Sequence, residues 1–278
     1  MGKKFRVVIL SNTDLTSSRL FRTVCEDPRV EVCAVAFTTT ITSKGGWFKS
    51  VCDIFRRTGL GYFIYASFWH GTFLIKERLC HFFPVLKKWF VDFFSLRNWA
   101  VEHRIPVIES ADFNADAFLD RIRPLKPDLL ITRINQILKA PILDLAPNGA
   151  WCLHSSFLPR YRGIATEFHS LANGEKQLGF TVFRMIPALD QGGIVLQEAY
   201  PIPADISLHA LIELSGRSGC RVIRKALDAL HDGTVRTVPQ SREGASYFSW
   251  PDRQSVRAFR KKKHRFIRWH EFLRYAVC

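Results

Sequence analysis

The sequence predicts an α/β protein with a mostly parallel sheet flanked by helices, and three observations support this fold class. The chain has 278 residues, of which 47% are hydrophobic and 23% charged, a composition typical of globular proteins. Strand-like and helix-like segments alternate from the first residues onward, which is the order that forms parallel sheets. Short runs of consecutive apolar residues, such as 7–10 within 5–10 and 129–131 within 128–133, are typical of strands that are buried on both faces.

Each element follows from its own pattern of apolar residues. We predict strands over 5–10, 30–37, 106–108, 128–133, 149–154, 179–186 and 194–202, and helices over 15–26, 96–103, 115–123, 141–145 and 207–230. Residues 41–98 interrupt the alternation and are predicted to form an aromatic-rich, mostly helical insertion. We therefore divide the chain into an α/β domain over 1–243 and a short basic C-terminal extension over 244–278.

The cysteines and the first turn exclude several classes of protein. The seven cysteines are scattered and no pair has CxxC spacing, which argues against a zinc site and against a disulfide framework. We therefore expect a reducing, cytoplasmic compartment and no bound metal. The turn after the first strand contains no GxGxxG sequence, so a dinucleotide site is not predicted there.

The net charge of +15 is concentrated in two segments that are also rich in aromatic residues. Residues 41–103 hold nine Lys or Arg against four Asp or Glu, and residues 251–278 hold nine against two, so the surpluses of five and seven account for twelve of the fifteen charges. Such segments suit an anionic partner, for example nucleic acid, a phosphorylated metabolite or a membrane surface. The alternative, that the aromatic residues belong to the core and the cations cover helices, remains open.

A histidine and an aspartate occupy positions that suit acid–base chemistry. His154 ends a predicted strand, and open α/β sheets bind their ligands at the carboxyl ends of strands. Asp190 follows on a glycine-containing turn between two later strands. The pair is a candidate for general acid–base work. On spacing alone, a purely structural role for His154 remains open.

Several motifs in this region occur in one order and resemble a known family, the folate-dependent formyltransferases. The family signature is Asn-x-His, then Ser-Leu-Leu-Pro and Tyr/Trp-Arg-Gly, followed downstream by Gly-x-Thr and Leu/Val-Asp-x-Gly. The resemblance covers roughly residues 96–240 and does not identify the member of the family, which includes methionyl-tRNA, glycinamide-ribonucleotide and sugar-amine formyltransferases. The matching residues are His154, Ser156, Leu158, Pro159, Tyr161, Arg162, Gly163, Gly179, Thr181, Asp190 and Gly192.

The resemblance implies a Rossmann-like sheet and a catalytic group made of His154, Asp190 and the residue at position 152. In the family, an amine attacks the formyl carbon of 10-formyltetrahydrofolate. The histidine stabilises the oxyanion and assists proton transfer, and the aspartate positions the histidine and favours its protonated, charged form. This chain has Cys152 where the family has its catalytic Asn, and a thiol is a much weaker hydrogen-bond donor than an amide. Four explanations remain open: a slow enzyme, a substitute donor such as Ser155 or a backbone N–H, lost catalysis, or a covalent role for the cysteine.

The resemblance also implies two sets of binding residues. Residues expected to face the pterin are Gln136, Ile137, Leu138, Ile186 and Leu189, and ordinary core positions are the alternative for the apolar ones. Residues expected to orient the substrate are Ser156, Tyr161 and Arg162, and a packed anchor of the loop is the alternative for Tyr161 and Arg162. Glu167 and His169 lie in the same region, and we assign them no role.

The resemblance therefore implies a transferase that moves a formyl group from 10-formyltetrahydrofolate to a primary amine on an anionic small molecule, such as a nucleotide-linked amino sugar. A tRNA acceptor is the less favoured alternative. The alternative from another class is a catalytically impaired relative that binds folate or an anion and docks on a membrane surface or nucleic acid. Oligomeric state and acceptor identity are not predicted.

Overall fold

A seven-stranded sheet forms the centre of the protein in the computed structural model, which describes residues 4–12, 15–38, 52–53, 55–83, 85–86 and 93–277. Its strands are β1 (Phe5–Ser11), β2 (Val30–Thr38), β3 (Val107–Ser110), β4 (Leu129–Arg133), β5 (Ala150–His154), β7 (Gln177–Arg184) and β8 (Ile194–Pro201). They lie in the order β3-β2-β1-β4-β5-β7-β8. The first five are parallel, and β7 and β8 are antiparallel to their neighbours. The predicted fold class is therefore confirmed.

Two further strands, β6 (Arg162–Gly163) and β9 (Tyr247–Phe248), pair in parallel as a separate small sheet. The structure describes the helices α1 (Leu15–Cys25), α2 (Leu60–Phe82), α3 (Leu96–Glu102), α4 (Asp116–Ile122), α5 (Ala140–Leu143), α6 (Thr166–Asn173), α7 (Leu208–His231), α8 (Arg253–Lys261) and α9 (Trp269–Val277). A 3₁₀ turn (Arg123–Leu125) follows α4. The predicted strands and helices all occur, with ends that differ by a few residues.

Two cores cover the two faces of the main sheet. Successive residues of a strand point to opposite faces, so Val7 and Ile9 join one core while Val8 and Leu10 join the other. The first core includes α1 and α7, and the second includes α4 and α5. Because both faces are covered, β1 contains the uninterrupted apolar run that the sequence shows.

The predicted insertion and the predicted C-terminal extension both contribute to the first core. Tyr62 and Tyr65 of α2 are buried there, and so is Phe259 of α8. Phe259 stacks on Phe168 and on Phe266, with ring centroids 5.1 Å and 5.0 Å away. These aromatic residues therefore pack inward, as the core alternative of the sequence analysis expects. The domain division at residue 243 stays a prediction.

Other parts of the two basic segments lie on the surface or outside the described residues. Arg260, Lys261, Lys262 and Lys263 are exposed at the end of α8. Of the insertion predicted over 41–98, residues 41–51, 54, 84 and 87–92 lie outside the part that the structure describes. Among the described helices, none combines the length and the apolar character needed to cross a bilayer.

The packing of α7 against the sheet generates a first prediction, based on two glycines one turn apart. A Cβ on Gly219 would lie 2.5 Å from the Phe180 ring and 2.6 Å from a Leu20 methyl group, whereas a Cβ on Gly216 would meet only Arg19 Cδ, at 3.4 Å, among the described residues. We expect Gly219→Ala to lower the free energy of unfolding by about 1–3 kcal/mol through overpacking. Gly216→Ala should instead raise it by up to about 1 kcal/mol, because alanine has the higher helix propensity.

Urea denaturation of the two variants beside the wild type tests this prediction. Equal free energies of unfolding for the two alanine variants would contradict the close contact between α7 and β7.

Candidate functional site

A cavity of about 620 Å³ opens at the carboxyl ends of the parallel strands. Asn12 follows β1 in its wall, Thr38 ends β2, and Arg133 and His154 end β4 and β5. The connections reverse direction between β1 and β4, and open α/β sheets bind ligands at such a switch point. The volume lies within the range of about 300–1,000 Å³ that is typical of small-molecule sites.

His154 is buried in the wall of this cavity, and a hydrogen bond fixes which of its two ring nitrogens carries the proton. Its Nε2 lies 2.9 Å from the carbonyl oxygen of Tyr161. A carbonyl only accepts, so Nε2 carries a proton and Nδ1 is the proton-accepting nitrogen of the neutral imidazole. His154 can therefore take up a proton at Nδ1 while the Tyr161 carbonyl holds the ring in place.

Cys152 lies two residues earlier on β5 and also lines the cavity. Burial first, and the charge of Asp190 second, raise the pKa of the Cys152 thiol to about 12. The thiol is therefore protonated at neutral pH. A covalent role needs a lowered thiol pKa, so this environment opposes the fourth explanation that the sequence left open.

Asp190 is held in the cavity wall by a backbone donor from another part of the chain. The amide of Gly163 donates to Asp190 Oδ2 at 2.7 Å. Gly163 has a φ of +96°, and a Cβ there would lie 2.0 Å from the carbonyl oxygen of Phe248, so only glycine fits. Asp190 itself has a φ of +47°, in the left-handed region, which turns the chain sharply at this point.

The structure brings His154 and Asp190 into one cavity without joining them. Within the described residues no hydrogen bond links the two side chains. His154 Nε2 bonds to the Tyr161 carbonyl instead, and Asp190 Oδ2 accepts from the Gly163 amide. The direct support of the histidine by the aspartate, which the resemblance implies, therefore stays a prediction.

Gln240 also fixes the loop of Asp190, and the sequence analysis did not select it. Its Nε2 donates to the carbonyl oxygens of Asp190 and Gly192, at 2.9 Å and 2.8 Å. Its Oε1 accepts from Arg162 Nη2 at 2.8 Å. Gln240 follows α7 at a distance of 50 residues from Asp190 in the chain, so no local pattern could indicate this contact.

Of the residues expected to face a pterin, four line the cavity. Ile137, Ile186 and Leu189 present exposed apolar side chains there, and Gln136 lines it as well. The Gln136 amide donates to the Ala111 carbonyl and to Thr38 Oγ1. It therefore ties together the loops that follow β2, β3 and β4. The fifth residue, Leu138, is fully buried in the second core and lies outside the cavity wall.

The three residues expected to orient the substrate lie behind the cavity wall. Ser156 donates its hydroxyl proton to the carbonyl of Arg160 at 2.9 Å. The Tyr161 phenol donates to Glu175 at 2.9 Å, and its ring stacks on Phe248. Arg162 reaches Gln240, as described above. In this structure their contacts shape the loop between β5 and α6, and their roles toward a substrate stay predictions.

Several cavity residues were not selected from the sequence. Arg133 donates from Nη1 to the Leu153 carbonyl at 2.8 Å and adds positive charge to the wall. An ionisable residue at the end of a buried strand is a signal that could have indicated it. Tyr62 of α2 and Trp250 come from distant segments, for which the sequence carries no comparable signal, whereas Glu167 of α6 lies close to the motif and had been assigned no role.

Comparison with known proteins supports the family resemblance that the motifs predicted. Residues 96–226 match the model of a family described as formyl transferase. The methionyl-tRNA formyltransferase of Kosmotoga olearia is 33% identical over 153 residues, which are 55% of this chain and 49% of that protein. The chain thus spans about half the length of the curated relatives that it matches.

Solved structures share the fold at low sequence identity. Glycinamide ribonucleotide transformylase 1 from Symbiobacterium toebii superposes with a TM-score of 0.55 at 18% identity, covering 87% of this chain and 96% of that one. An N-formyltransferase from Helicobacter canadensis, solved with folinic acid and dTDP-3-aminofucose, gives a TM-score of 0.54 at 17% identity, covering 87% of this chain and 70% of that one. The resemblance predicted from the motifs is confirmed, and residues 96–226 form a domain of the formyltransferase family.

Proposed function

We propose that this protein transfers a formyl group from 10-formyltetrahydrofolate to a primary amine on an anionic acceptor, such as a nucleotide-linked amino sugar. The observation that carries the proposal is that His154, Asp190 and Cys152 line one cavity at the carboxyl edge of the sheet. The Helicobacter canadensis protein with the same fold was solved with folinic acid and an amino-sugar nucleotide, which supports both the donor and the acceptor class.

The residues of the cavity fit a folate. Ile137, Ile186 and Leu189 offer exposed apolar surface in the wall, which suits the flat face of a pterin. Arg133 adds a cation to the same wall, which suits an anionic acceptor. The donor supplies a formyl carbon that is open to attack by an amine, and negative charge develops on the formyl oxygen.

The chain itself supplies proton transfer and hydrogen bonding. Nδ1 of His154 accepts the proton that the attacking amine loses, because Nε2 is already protonated toward Tyr161. Asp190, placed by Gly163 and Gln240, adds negative charge that stabilises a protonated imidazole. The Cys152 thiol occupies the position from which the family's Asn donates, so this enzyme should be slow.

Binding of folinic acid tests the folate pocket independently of catalysis. Ile137 is 52% exposed in the cavity and Val101 of α3 is 51% exposed elsewhere, so the two form a matched pair. We expect folinic acid to bind the wild type, and Ile137→Ser to weaken binding about tenfold, because roughly 1–1.5 kcal/mol of apolar contact is lost. Val101→Ser should leave the Kd unchanged in calorimetric titrations. Equal Kd values for the two variants would place the folate elsewhere.

Loss of the proton acceptor tests the mechanism. His154→Asn should lower the rate of formyl transfer at least about 100-fold, in line with the size of general acid–base contributions. His231→Asn changes an exposed histidine at the end of α7 and should have no effect. The assay follows formylation of dTDP-3-aminofucose, glycinamide ribonucleotide and methionyl-tRNA. A His154→Asn variant as fast as the wild type would contradict the proposed role.

Restoring the amide tests the role of position 152. Cys152→Asn should raise the rate by about 10²–10³, the usual contribution of one donor to a developing oxyanion. Cys152→Ala removes the thiol without adding a donor and should give no gain.

If neither the wild type nor Cys152→Asn transfers formyl groups while both bind folinic acid, the second candidate function is favoured. That candidate is a folate-binding relative without catalysis, and the buried thiol at position 152 is the observation in its favour.

A further inference from the structure

Glu167 places a carboxyl group in the cavity wall with too few hydrogen-bond donors. It is the second residue of α6 and is only 7% exposed. Its Oε1 has no hydrogen-bond partner among the described residues. Its Oε2 lies 3.0 Å from Thr166 Oγ1, which lies 2.7 Å from the Ser155 carbonyl. A hydroxyl group has one proton, so Thr166 donates to only one of these two acceptors.

Ser155 adds a second unsatisfied oxygen to the same part of the wall. Its side chain is 2% exposed, and its Oγ has no partner in the part of the chain that the structure describes. Thr166 Oγ1 contacts both Ser155 and Glu167, so the two residues are neighbours. Ser155 directly follows His154, and all four residues line the cavity.

The charges around Glu167 leave its carboxylate without a countercharge. Within the described residues, no Lys, Arg or His forms an ion pair with it. Burial and then the charge of Glu167 raise the pKa of the phenols of Tyr62 and Tyr200. Arg133 acts on Tyr200 with the opposite sign. Two phenols therefore feel the negative charge of Glu167, and a phenol supplies no countercharge.

Burying an ionised carboxylate without a partner costs several kcal/mol, so such groups normally face a cation or a donor. A position in the first turn of a helix suits a negative charge but compensates only part of this cost. A primary ammonium group carries one positive charge and three N–H donors. It matches the charge of Glu167 and both unsatisfied oxygens, whereas a phosphate or a carboxylate would be repelled.

We propose that Glu167 and Ser155 bind the protonated amino group of the acceptor beside His154. The inference rests on the proposed function, which requires a primary amine in this cavity, and it assigns the amine-recognising residue. Glu167 is then a positioning residue that selects amines over hydroxyl groups. His154 takes one proton from the bound ammonium group, which gives the neutral amine that attacks, and the second proton that the amine nitrogen loses passes to the donor nitrogen that leaves.

The test uses methylammonium as the probe and needs neither folate nor turnover. Protein labelled with ¹³C at the glutamate side-chain carboxyl carbon is titrated by NMR, and the Glu167 signal is assigned by its loss in Glu167→Gln. We expect a saturable shift of that signal with methylammonium and none with tetramethylammonium, which has the same charge and no N–H donor. Ser155→Ala should weaken the response. As a control, Glu198→Gln changes a carboxylate of β8 that pairs with Lys225, and it should leave the response to methylammonium unchanged.

A Glu167 signal that ignores methylammonium, or that responds equally to tetramethylammonium, overturns the proposal. If Glu167→Gln fails to fold, Glu167→Asp assigns the signal by its loss, because the aspartate does not carry the glutamate label. The two proposals can fail separately. A saturable shift without formyl transfer would support the amine subsite and contradict the proposed formyltransferase activity. Formyl transfer without the shift rejects the subsite alone.

Discussion

The close approach of Gly163 to the backbone of Phe248 is the contact on which the candidate site depends. A side chain at position 163 would collide with the Phe248 carbonyl, so glycine lets β6 lie directly against β9. The same residue donates its amide proton to Asp190. One glycine therefore joins three stretches of chain: the loop that follows His154, the turn that carries Asp190, and the segment that leads to Trp250. The geometry of the cavity wall follows from this junction.

The parts of the site that lie at strand ends could be predicted from the sequence. A continuous apolar run marks a buried parallel strand, and the polar residue that ends it must emerge at the carboxyl edge of the sheet. This reasoning places His154 at the cavity, and the family resemblance indicated Cys152 two residues earlier. The glycine-rich turn indicated Asp190, and the motif order indicated the family. The alternation of strands and helices was equally clear, because burial on both faces leaves an uninterrupted apolar pattern.

The contacts that join distant segments could not be predicted in the same way. Tyr62 and Gln240 reach the site from α2 and from beyond α7, and no local periodicity reports such an approach. Motif matching also gives no information on where a side chain points. Tyr161 matches the family pattern, yet its hydroxyl points to Glu175 and Asn173 rather than to the cavity. A motif records which residues occur, whereas hydrogen bonds decide where their side chains point.

The position of Gln240 in the chain has a consequence for the order in which the site is completed during synthesis. All the residues proposed for catalysis have left the ribosome well before Gln240 and Phe248 do, since the 24-residue helix α7 lies between them. A nascent chain that ends within α7 therefore has His154 and Asp190 but lacks the contacts that fix the turn of Asp190. The turn of Asp190 can therefore be fixed only after the residues that follow α7 have been synthesised.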